Sequence, residues 1–331
     1  MAGFRKAKAE QAAIKMGLYG PPGSGKTFTA LLLAEGLGAL TKKRVAYIDT
    51  EHGTDFYCQK VPTRAVHPEA FDFDALYTRS LTETIAAVKG LDTATHNVIV
   101  LDSVTHLWEA AMAAYAGRQT SIGTIPMQAW GKIKKPYKEL MAALLSTSMH
   151  VLICGRQKTV YAADEETEEL KAAGVTMRAE GETPYEPHIL IRLESVRPKK
   201  TNDVATIFAY AEKDRTGVLS GRSFANPNFE SLCKPLLGLL GATQANIETP
   251  DETATKDAEA LATQDSEREA GSIALLRDFK ARIDLTRDGT ALKAIGKEIT
   301  PQTKTKMLPA HVAELREHYQ ERERQLIPVS A

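Results

Sequence analysis

One eight-residue segment constrains the fold of this chain more than any other. Residues 20–27 read Gly-Pro-Pro-Gly-Ser-Gly-Lys-Thr and fit the pattern GxxxxGK[ST]. The apolar residues 14–19 before it predict a strand, and residues 27–40, rich in leucine and alanine, predict a helix after it. A glycine-rich turn between a strand and a helix predicts a phosphate-binding loop in an α/β fold.

The residue types in this loop suit the phosphates of a nucleotide. Glycines let the backbone N–H groups turn inward, and the following helix adds the positive end of its dipole. We expect Lys26 to reach the β- and γ-phosphates and the Thr27 hydroxyl to hold Mg²⁺. The predicted cofactors are ATP and Mg²⁺, since no NKxD pattern selects guanine. The predicted cofactor-binding residues here are Gly20, Pro21, Pro22, Gly23, Ser24, Gly25, Lys26, Thr27 and Phe28.

Apolar runs and helical segments alternate as far as about residue 241, which predicts βαβ units and a mainly parallel sheet. The predicted strands are residues 44–49, 97–102 and 149–155, the predicted helices are residues 81–91 and 137–146, and residues 187–194 and 204–212 are predicted to form a hairpin or meander. Residues 97–102 end in Asp102. A buried strand that delivers a carboxylate to its carboxyl end predicts the acid on the Mg²⁺ side of the site.

The composition changes after residue 241. In residues 242–271, Thr, Ala, Gln and acidic residues dominate, with almost no large apolar side chain. This segment predicts a flexible linker, because it cannot bury enough surface to offset its ordering entropy. Helical periodicity returns afterwards, so we expect an ATPase core over residues 1–241, the linker, and a small α-helical appendage over residues 272–331.

Charge and cysteine content exclude several classes of protein. Lys and Arg number 42, as do Asp and Glu, so any phosphate contact must come from a local patch. Three cysteines without a CxxC pair support neither a disulfide framework nor a thiolate zinc site. No apolar run approaches the roughly 20 residues that cross a bilayer, so we expect a cytoplasmic protein without a membrane partner.

Two segments resemble RecA-type recombinases. Residues 45–53, Val-Ala-Tyr-Ile-Asp-Thr-Glu-His-Gly, are similar to the stretch that carries the RecA catalytic glutamate, and residues 98–103 are similar to the RecA magnesium strand with its Asp-Ser ending. The resemblance implies a RecA-like P-loop NTPase core in which Glu51 polarises the water that attacks the γ-phosphate. An acid beyond a neighbouring strand end could reach that water. The alternative is a surface acid that caps a turn.

A third segment, residues 211–217, reads Ala-Glu-Lys-Asp-Arg-Thr-Gly and is similar to the Lys-x-Arg and glycine of RadA- and DnaB-like ATPases. The resemblance implies that Lys213 and Arg215 are catalytic and project onto the γ-phosphate of a neighbouring subunit. It therefore implies self-association into a ring or filament with nucleotide between subunits. A solvated hairpin tip would also be charged.

Arg156 and Gln157 follow the predicted strand 149–155, where the RecA family has a polar sensor of the γ-phosphate, and the sequence leaves both residues open for this role. The overall likeness covers about residues 12–235. It is closest to the phage-encoded RecA-like ATPases of the single-strand annealing and recombination group, through residues 130–137 and 184–188.

The resemblance also implies two loops that bind single-stranded DNA, at about residues 117–128 and 158–186. Cations and aromatic rings, the side chains suited to phosphates and bases, accompany the first loop. The candidate DNA contacts are Arg118, Trp130, Lys132, Lys134 and Lys135. Lysines at a helix start fit a solvated face equally well, and the five acids of residues 164–169 in the second loop would repel phosphates.

The sequence thus predicts a DNA-stimulated ATPase that acts on single-stranded DNA in recombination or strand annealing. One alternative is a replication-associated motor or loader ATPase directed at a protein partner, which residues 272–331 could bind. Another is a nucleotide-switched binding module with little turnover. The sequence favours neither a ring nor a filament, and neither annealing nor strand invasion.

Overall fold

A computed structural model describes residues 13–116, 125, 129–163, 170–197, 205–240 and 250–326. The chain divides into two compact units, residues 1–249 and residues 250–331. Among the described residues, no helix is both long and apolar enough to cross a membrane.

The first unit is an α/β domain built on one sheet. Its strands are β1 (Lys15–Gly20), β2 (Arg44–Asp49), β3 (Asp74–Tyr77), β4 (His96–Asp102), β5 (His150–Ala163), β6 (Leu170–Arg178), β7 (Ile189–Val196), β8 (Thr206–Asp214) and β9 (Ser223–Ala225). Its helices are α1 (Lys26–Thr41), α2 (Leu81–Gly90), α3 (Val104–Ala116), α4 (Trp130–Ser146), α5 (Phe229–Leu232) and α6 (Lys234–Leu237).

The strands follow the order β3-β2-β4-β5-β1-β7-β8-β9, and β6 pairs with β5. From β3 to β7 all neighbours are parallel, whereas β6, β8 and β9 pair antiparallel. The predicted α/β fold with a mainly parallel sheet is therefore confirmed. We call the edge where β1, β2 and β4 end the carboxyl edge, and the edge where they begin the amino edge.

Two apolar layers cover the two faces of the sheet. On one face, α1 packs on alternate strand residues such as Leu18, Val100 and Cys154. On the other face, α2, α3 and α4 pack on the intervening residues, such as Ile99 and Ile153. Because successive strand residues point to opposite faces, this division tells which side each polar residue at a strand end faces.

The structure differs from the sequence prediction in two parts of this unit. Residues 158–186, predicted as a loop, form the outer arm of β5, the described part of β6 and a 3-10 turn at Thr183–Tyr185. Helix α4 begins at Trp130 instead of residue 137 and continues through Pro136. Proline removes only one i→i−4 hydrogen bond there, and the buried Ile133 and Tyr137 hold the helix against the sheet.

The second unit is helical. Its elements are α7 (Pro250–Asp284), α8 (Gly289–Glu298), α9 (Pro301–Thr305) and α10 (Pro309–Leu326). Residues 242–271 are predicted as a flexible linker. Residues 242–249 lie outside the described residues, whereas residues 250–271 form the first part of α7, where five alanines and four glutamates favour a helix. Leu276, Phe279, Ile283 and Leu315 share the apolar cluster of this unit. The predicted helical appendage is present.

Candidate nucleotide site

The phosphate-binding loop joins β1 to α1 at the carboxyl edge. Gly23 and Gly25 have φ angles of 72° and 84°, a left-handed conformation that glycine adopts without strain. At Gly20 a side chain would collide with its surroundings, since a Cβ atom would lie 2.2 Å from the carbonyl oxygen of Leu193. The glycines therefore permit both the turn and the tight packing beneath it.

Lys26, the first residue of α1, carries its ammonium back over this loop. Its Nζ donates hydrogen bonds to the carbonyl oxygens of Gly20, at 3.1 Å, and Pro21, at 3.0 Å. Burial lowers the pKa of Lys26, and the carboxylates of Asp102 and Glu51 oppose this shift. The ammonium thus lies within electrostatic reach of both predicted acids.

Asp102 and Thr27 meet at the centre of the carboxyl edge. The Thr27 hydroxyl donates to Oδ2 of Asp102 at 2.6 Å, and the Tyr47 hydroxyl donates to the same oxygen at 2.8 Å. Asp102 is buried, which raises its pKa, although both hydrogen bonds favour the carboxylate. A hydroxyl and a carboxylate beside a phosphate-binding loop are ligands that suit Mg²⁺. The two residues predicted to hold the metal are therefore adjacent and chemically suitable.

Glu51 lies on the turn that follows β2, which pairs with β4. The buried carboxylate of Asp49 shapes this turn: Oδ1 accepts the N–H groups of Glu51 and His52 at 2.8 Å, and Oδ2 accepts that of Thr54 at 3.1 Å. Asp49 therefore fixes the backbone on which Glu51 sits. The Glu51 side chain remains 38% exposed.

Three side chains surround one oxygen of Glu51, Oε1. The Arg156 guanidinium donates to it through Nη2, at 3.1 Å, and Nε, at 3.2 Å. The Ser103 hydroxyl donates at 3.3 Å, and Nε2 of His106 lies 3.7 Å away. The orientation of the carboxylate is therefore set mainly by Arg156.

Sequence reasoning missed the residues that support this arrangement. The Thr50 hydroxyl oxygen accepts the Ser103 N–H at 2.8 Å and lies 2.9 Å from Nδ1 of His106, while Nε of Arg79 donates to the Thr50 carbonyl at 2.7 Å. Burial, reinforced by Arg156, lowers the pKa of His106. Ser103 and His106 follow Asp102 within about one helical turn, so their closeness in sequence to a predicted site residue could have indicated them. Arg79 is not close in sequence to any predicted site residue.

The structure separates the two candidate sensors. Arg156 continues the alternation of Leu152 and Cys154 and faces the α1 side, where it meets Glu51. Gln157 continues Ile153 on the opposite side, and its Oε1 is buried without a hydrogen-bond partner among the described residues. Arg156 is therefore the residue at the site.

An aromatic cluster flanks the loop. The ring of Phe28, a predicted cofactor-binding residue, stacks on Tyr57 with centroids 6.1 Å apart and meets Phe71 edge-on at 5.9 Å. The Arg64 guanidinium covers both Phe28 and Tyr57, at 5.7 and 5.3 Å from the ring centroids. These contacts hold the segment after Glu51 against the first turn of α1.

Lys213 and Arg215 do not join this site. In the sheet Asp214 pairs with Ile189, which pairs with Met16 near the start of β1, so both cations lie at the amino edge. The ammonium of Lys213 donates to the carbonyl oxygens of Pro187, at 2.7 Å, and Tyr185, and Nη2 of Arg215 donates to that of Tyr185 at 3.2 Å. The phosphate loop follows the other end of β1.

The candidate DNA contacts have different surroundings. Trp130 is partly buried and stacks on Trp108, with centroids 6.2 Å apart. Lys134 forms an ion pair at 2.7 Å with Glu180, whose side chain is only 3% exposed. Trp130 thus packs against the core, whereas Lys134, whose side chain is 41% exposed, is paired with a buried carboxylate. Lys132 and Lys135 are exposed, and Arg118 lies outside the described residues.

The sequence and the structure of this chain were compared with those of known proteins. Residues 12–216 match the family of AAA domains. Among solved structures, the chain is similar to a KaiC-like protein of the hyperthermophilic archaeon Pyrococcus horikoshii OT3, with 12% identity over 65% of this chain and 85% of that one and a TM-score of 0.42. No curated protein matches the sequence.

Proposed function

Because the chain belongs to the family of AAA domains and is a P-loop ATPase, we propose that it hydrolyses MgATP between subunits and acts on single-stranded DNA in recombination or strand annealing. The observation that carries the catalytic part is the 2.6 Å contact between Thr27 and Asp102, with the ammonium of Lys26 within electrostatic reach of both Asp102 and Glu51. A cytoplasmic site of action follows from this proposal.

The residues of the carboxyl edge divide the chemistry among them. Lys26 and the N–H groups of the loop neutralise the phosphates, and Thr27 and Asp102 hold Mg²⁺. The metal, when bound, offsets charge on the phosphate oxygens. Glu51 orients the attacking water and accepts its proton, a role worth about 10² to 10⁴ in rate for a well-placed carboxylate.

The position of Lys213 and Arg215 supports a site completed by a second subunit. Within one chain these cations lie at the amino edge, away from the phosphate loop. A head-to-tail arrangement brings the amino edge of one subunit to the carboxyl edge of the next. An arginine supplied in this way stabilises charge that develops during phosphoryl transfer and makes turnover depend on assembly.

A DNA-binding surface is supported by the exposed side chains beside the carboxyl edge. Strand β5 continues past Arg156, and Lys158 and Tyr161 are exposed on this outer arm. With Lys132 and Lys135 at the start of α4, they supply cations for phosphates and a ring for base stacking. The likeness of residues 130–137 and 184–188 to the phage-encoded annealing group supports the same role.

The test is ATP turnover by wild type and Glu51→Gln, with and without single-stranded DNA, at two salt concentrations. We expect DNA to stimulate wild-type turnover, this stimulation to fade at higher salt, and Glu51→Gln to be inactive in every condition. Turnover that ignores DNA would contradict the DNA role and favour an ATPase directed at a protein partner. A Lys26→Ala variant that still hydrolyses ATP would contradict the assignment of the site.

A further inference from the structure

Two hydroxyl groups share one oxygen of the Asp102 carboxylate. The Thr27 hydroxyl donates to Oδ2 at 2.6 Å, and the Tyr47 hydroxyl donates to the same atom at 2.8 Å. The other oxygen, Oδ1, accepts no hydrogen bond from the residues that the structure describes. A carboxylate oxygen has two lone pairs for such bonds, so Oδ2 is fully engaged within the protein and Oδ1 is left for an external partner.

The position of Tyr47 follows from the pairing of β2 with β4. Tyr47 pairs with Val100, and side chains two residues apart on a strand point to the same face of the sheet. Asp102 is therefore the diagonal neighbour of Tyr47 on the α1 face, within reach of a long aromatic side chain. Thr27 reaches the same oxygen from the first turn of α1.

The phenol ring of Tyr47 has little freedom to move. The residue is 1% exposed, and its ring packs against that of Phe73, with centroids 5.3 Å apart. Burial, reinforced by the nearby Asp102, raises the pKa of Tyr47 well above its ordinary value, so the hydroxyl keeps its proton and acts as a donor. A donor on a fixed ring and a second donor on α1 together hold the plane of the Asp102 carboxylate.

Resting on the proposed ATPase function, we propose that Tyr47 is a positioning residue for Mg²⁺, because it keeps Oδ2 of Asp102 engaged and so leaves Oδ1 available to the metal. Thr27 has two roles, since its oxygen is a predicted ligand of the metal and its proton is donated to Asp102. Tyr47 acts on the metal only through Asp102. Groups that orient a metal ligand in this way typically contribute about 10- to 100-fold to metal affinity.

A purely structural role for the Tyr47 hydroxyl makes a different prediction, and Tyr137 provides the matched control. Tyr137 is also 1% exposed, and its hydroxyl lies 2.8 Å from that of Thr183, in the apolar layer on the opposite face of the sheet. Loss of either hydroxyl removes one buried hydrogen bond, so both Tyr→Phe changes should lower stability. Only Tyr47→Phe should change the contribution of the metal to nucleotide binding.

The first experiment measures the affinity of the full-length protein for a non-hydrolysable ATP analogue, in EDTA and in saturating Mg²⁺. The ratio of the two affinities gives the strengthening of binding by Mg²⁺. We expect Tyr47→Phe to lower this ratio by about tenfold and to leave binding in EDTA within about twofold of wild type, whereas Tyr137→Phe changes neither. Equal weakening with and without Mg²⁺ would show a structural role and overturn the proposal, as would an unchanged ratio.

The second experiment measures metal binding directly, with Mn²⁺ as the probe and electron paramagnetic resonance as the readout. In the complex with ADP, we expect the affinity for Mn²⁺ to fall by about tenfold in Tyr47→Phe and to stay at the wild-type value in Tyr137→Phe. Urea unfolding of both variants identifies the conditions under which each is folded. A wild-type affinity for Mn²⁺ in folded Tyr47→Phe protein would overturn the proposal.

The wild-type protein separates this inference from the proposed function. If wild type binds the analogue without any strengthening by Mg²⁺, the metal role of Thr27 and Asp102 fails, and the proposed function fails with it. If wild type shows the strengthening and Tyr47→Phe retains it in full, the proposed function stands and the role of Tyr47 is wrong.

Discussion

The two edges of the sheet hold their cations in opposite ways. At the carboxyl edge, Arg156 is paired with a carboxylate, and Lys26 lies near two acids. At the amino edge, Lys15 donates only to backbone carbonyl oxygens, those of Leu144, Thr147 and Met149 at 2.7 to 3.0 Å. Lys213 and Arg215 also donate to backbone carbonyl oxygens there.

Burial distinguishes the cations of the amino edge from one another. Lys15 is fully buried, so its three hydrogen bonds join the end of α4 and the start of β5 to β1 and serve the fold alone. Arg215 is exposed and Lys213 is half-buried. Carbonyl oxygens neutralise a cation only partly, so these two side chains retain an attraction for an incoming anion. The same type of hydrogen bond thus stabilises the fold at Lys15, whereas in our proposal it leaves Lys213 and Arg215 available to a neighbouring subunit.

The largest expected effect tests whether Arg215 acts on the nucleotide of a neighbouring subunit. Arg215→Ala should lower ATP turnover by about 10³-fold, since a transition-state arginine is lost, while MgATP still binds. Turnover and nucleotide affinity are measured together, with the exposed Arg222→Ala as the matched control. Mixing Arg215→Ala with Lys26→Ala protein should restore some activity, because a mixed interface joins an intact loop to an intact arginine. No restoration in an assembled mixture would place Arg215 outside the neighbour's site.

The next effect tests whether the hydrogen bonds of Lys15 stabilise the fold. Lys15→Met should lower the free energy of unfolding by about 2 kcal/mol, because the buried carbonyl oxygens of Leu144 and Met149 and the partly buried one of Thr147 lose their donor. Relief of the burial that lowers the pKa of Lys15 to about 7 offsets part of this loss. Urea unfolding measures the change, and Lys213→Met is the control, with an expected loss of less than about 1 kcal/mol because its side chain is partly exposed. Similar losses in both variants would remove the distinction drawn between the two lysines.

A smaller effect concerns acid stability at the same edge. Nδ1 of His150 accepts the N–H of Ile14 at 3.0 Å, and burial, reinforced by Lys15, lowers the pKa of His150 to about 4. Between that value and the ordinary histidine pKa, the unfolded chain binds a proton that the folded chain does not, so stability falls as pH falls. We expect about 1 to 2 kcal/mol to be lost between pH 6.5 and pH 5.

His150→Asn tests this source, because an amide oxygen can accept the same N–H without titrating. Urea unfolding at pH 7.5 and pH 5 should show a shallower pH dependence in His150→Asn than in wild type. An unchanged dependence would assign the acid sensitivity to other groups, of which His188 is the first to examine, since burial and the neighbouring Arg215 also lower its pKa to about 4.

The smallest effect concerns the lysines at the start of α4, of which Lys134 is paired with Glu180 and Lys132 and Lys135 are exposed. Lys134→Ala should cost about 1 kcal/mol of stability, because the buried carboxylate of Glu180 loses its cation. The exposed Lys132→Ala and Lys135→Ala should leave stability unchanged and weaken single-stranded DNA binding in a salt-dependent way. Unfolding and DNA titrations on the same three variants give both quantities. Loss of DNA binding in Lys134→Ala alone would reverse this assignment.

The sequence predicted those parts of the site that depend on local pattern. The loop at residues 20–27, Asp102 and Glu51 all follow strands whose apolar runs are readable, and parallel pairing brings such strand ends to one edge. The short strands β3 and β9 carry too few residues to show a period. The choice between Arg156 and Gln157 required the register of β5, because a shift of one residue exchanges the two faces.

Other features depended on contacts between distant segments. The Thr50–His106 contact arises because β2 and β4 are neighbours, which no local spacing encodes. The ion pair of Lys134 with Glu180 and the stacking of Trp130 on Trp108 also join segments that are distant in the sequence, so no local pattern indicates them. Residues 250–271 have few of the apolar side chains that indicate a packed helix, so hydrophobic periodicity does not predict the first part of α7.

The turn shaped by Asp49 has a practical consequence. Its carboxylate, rather than that of Glu51, accepts the backbone N–H groups that define the turn. Glu51 can therefore be replaced without remodelling the backbone beneath it. A Glu51→Gln protein should then hold uncleaved ATP in a native framework, which makes it the reagent of choice for capturing the assembled, substrate-loaded state by cryo-electron microscopy.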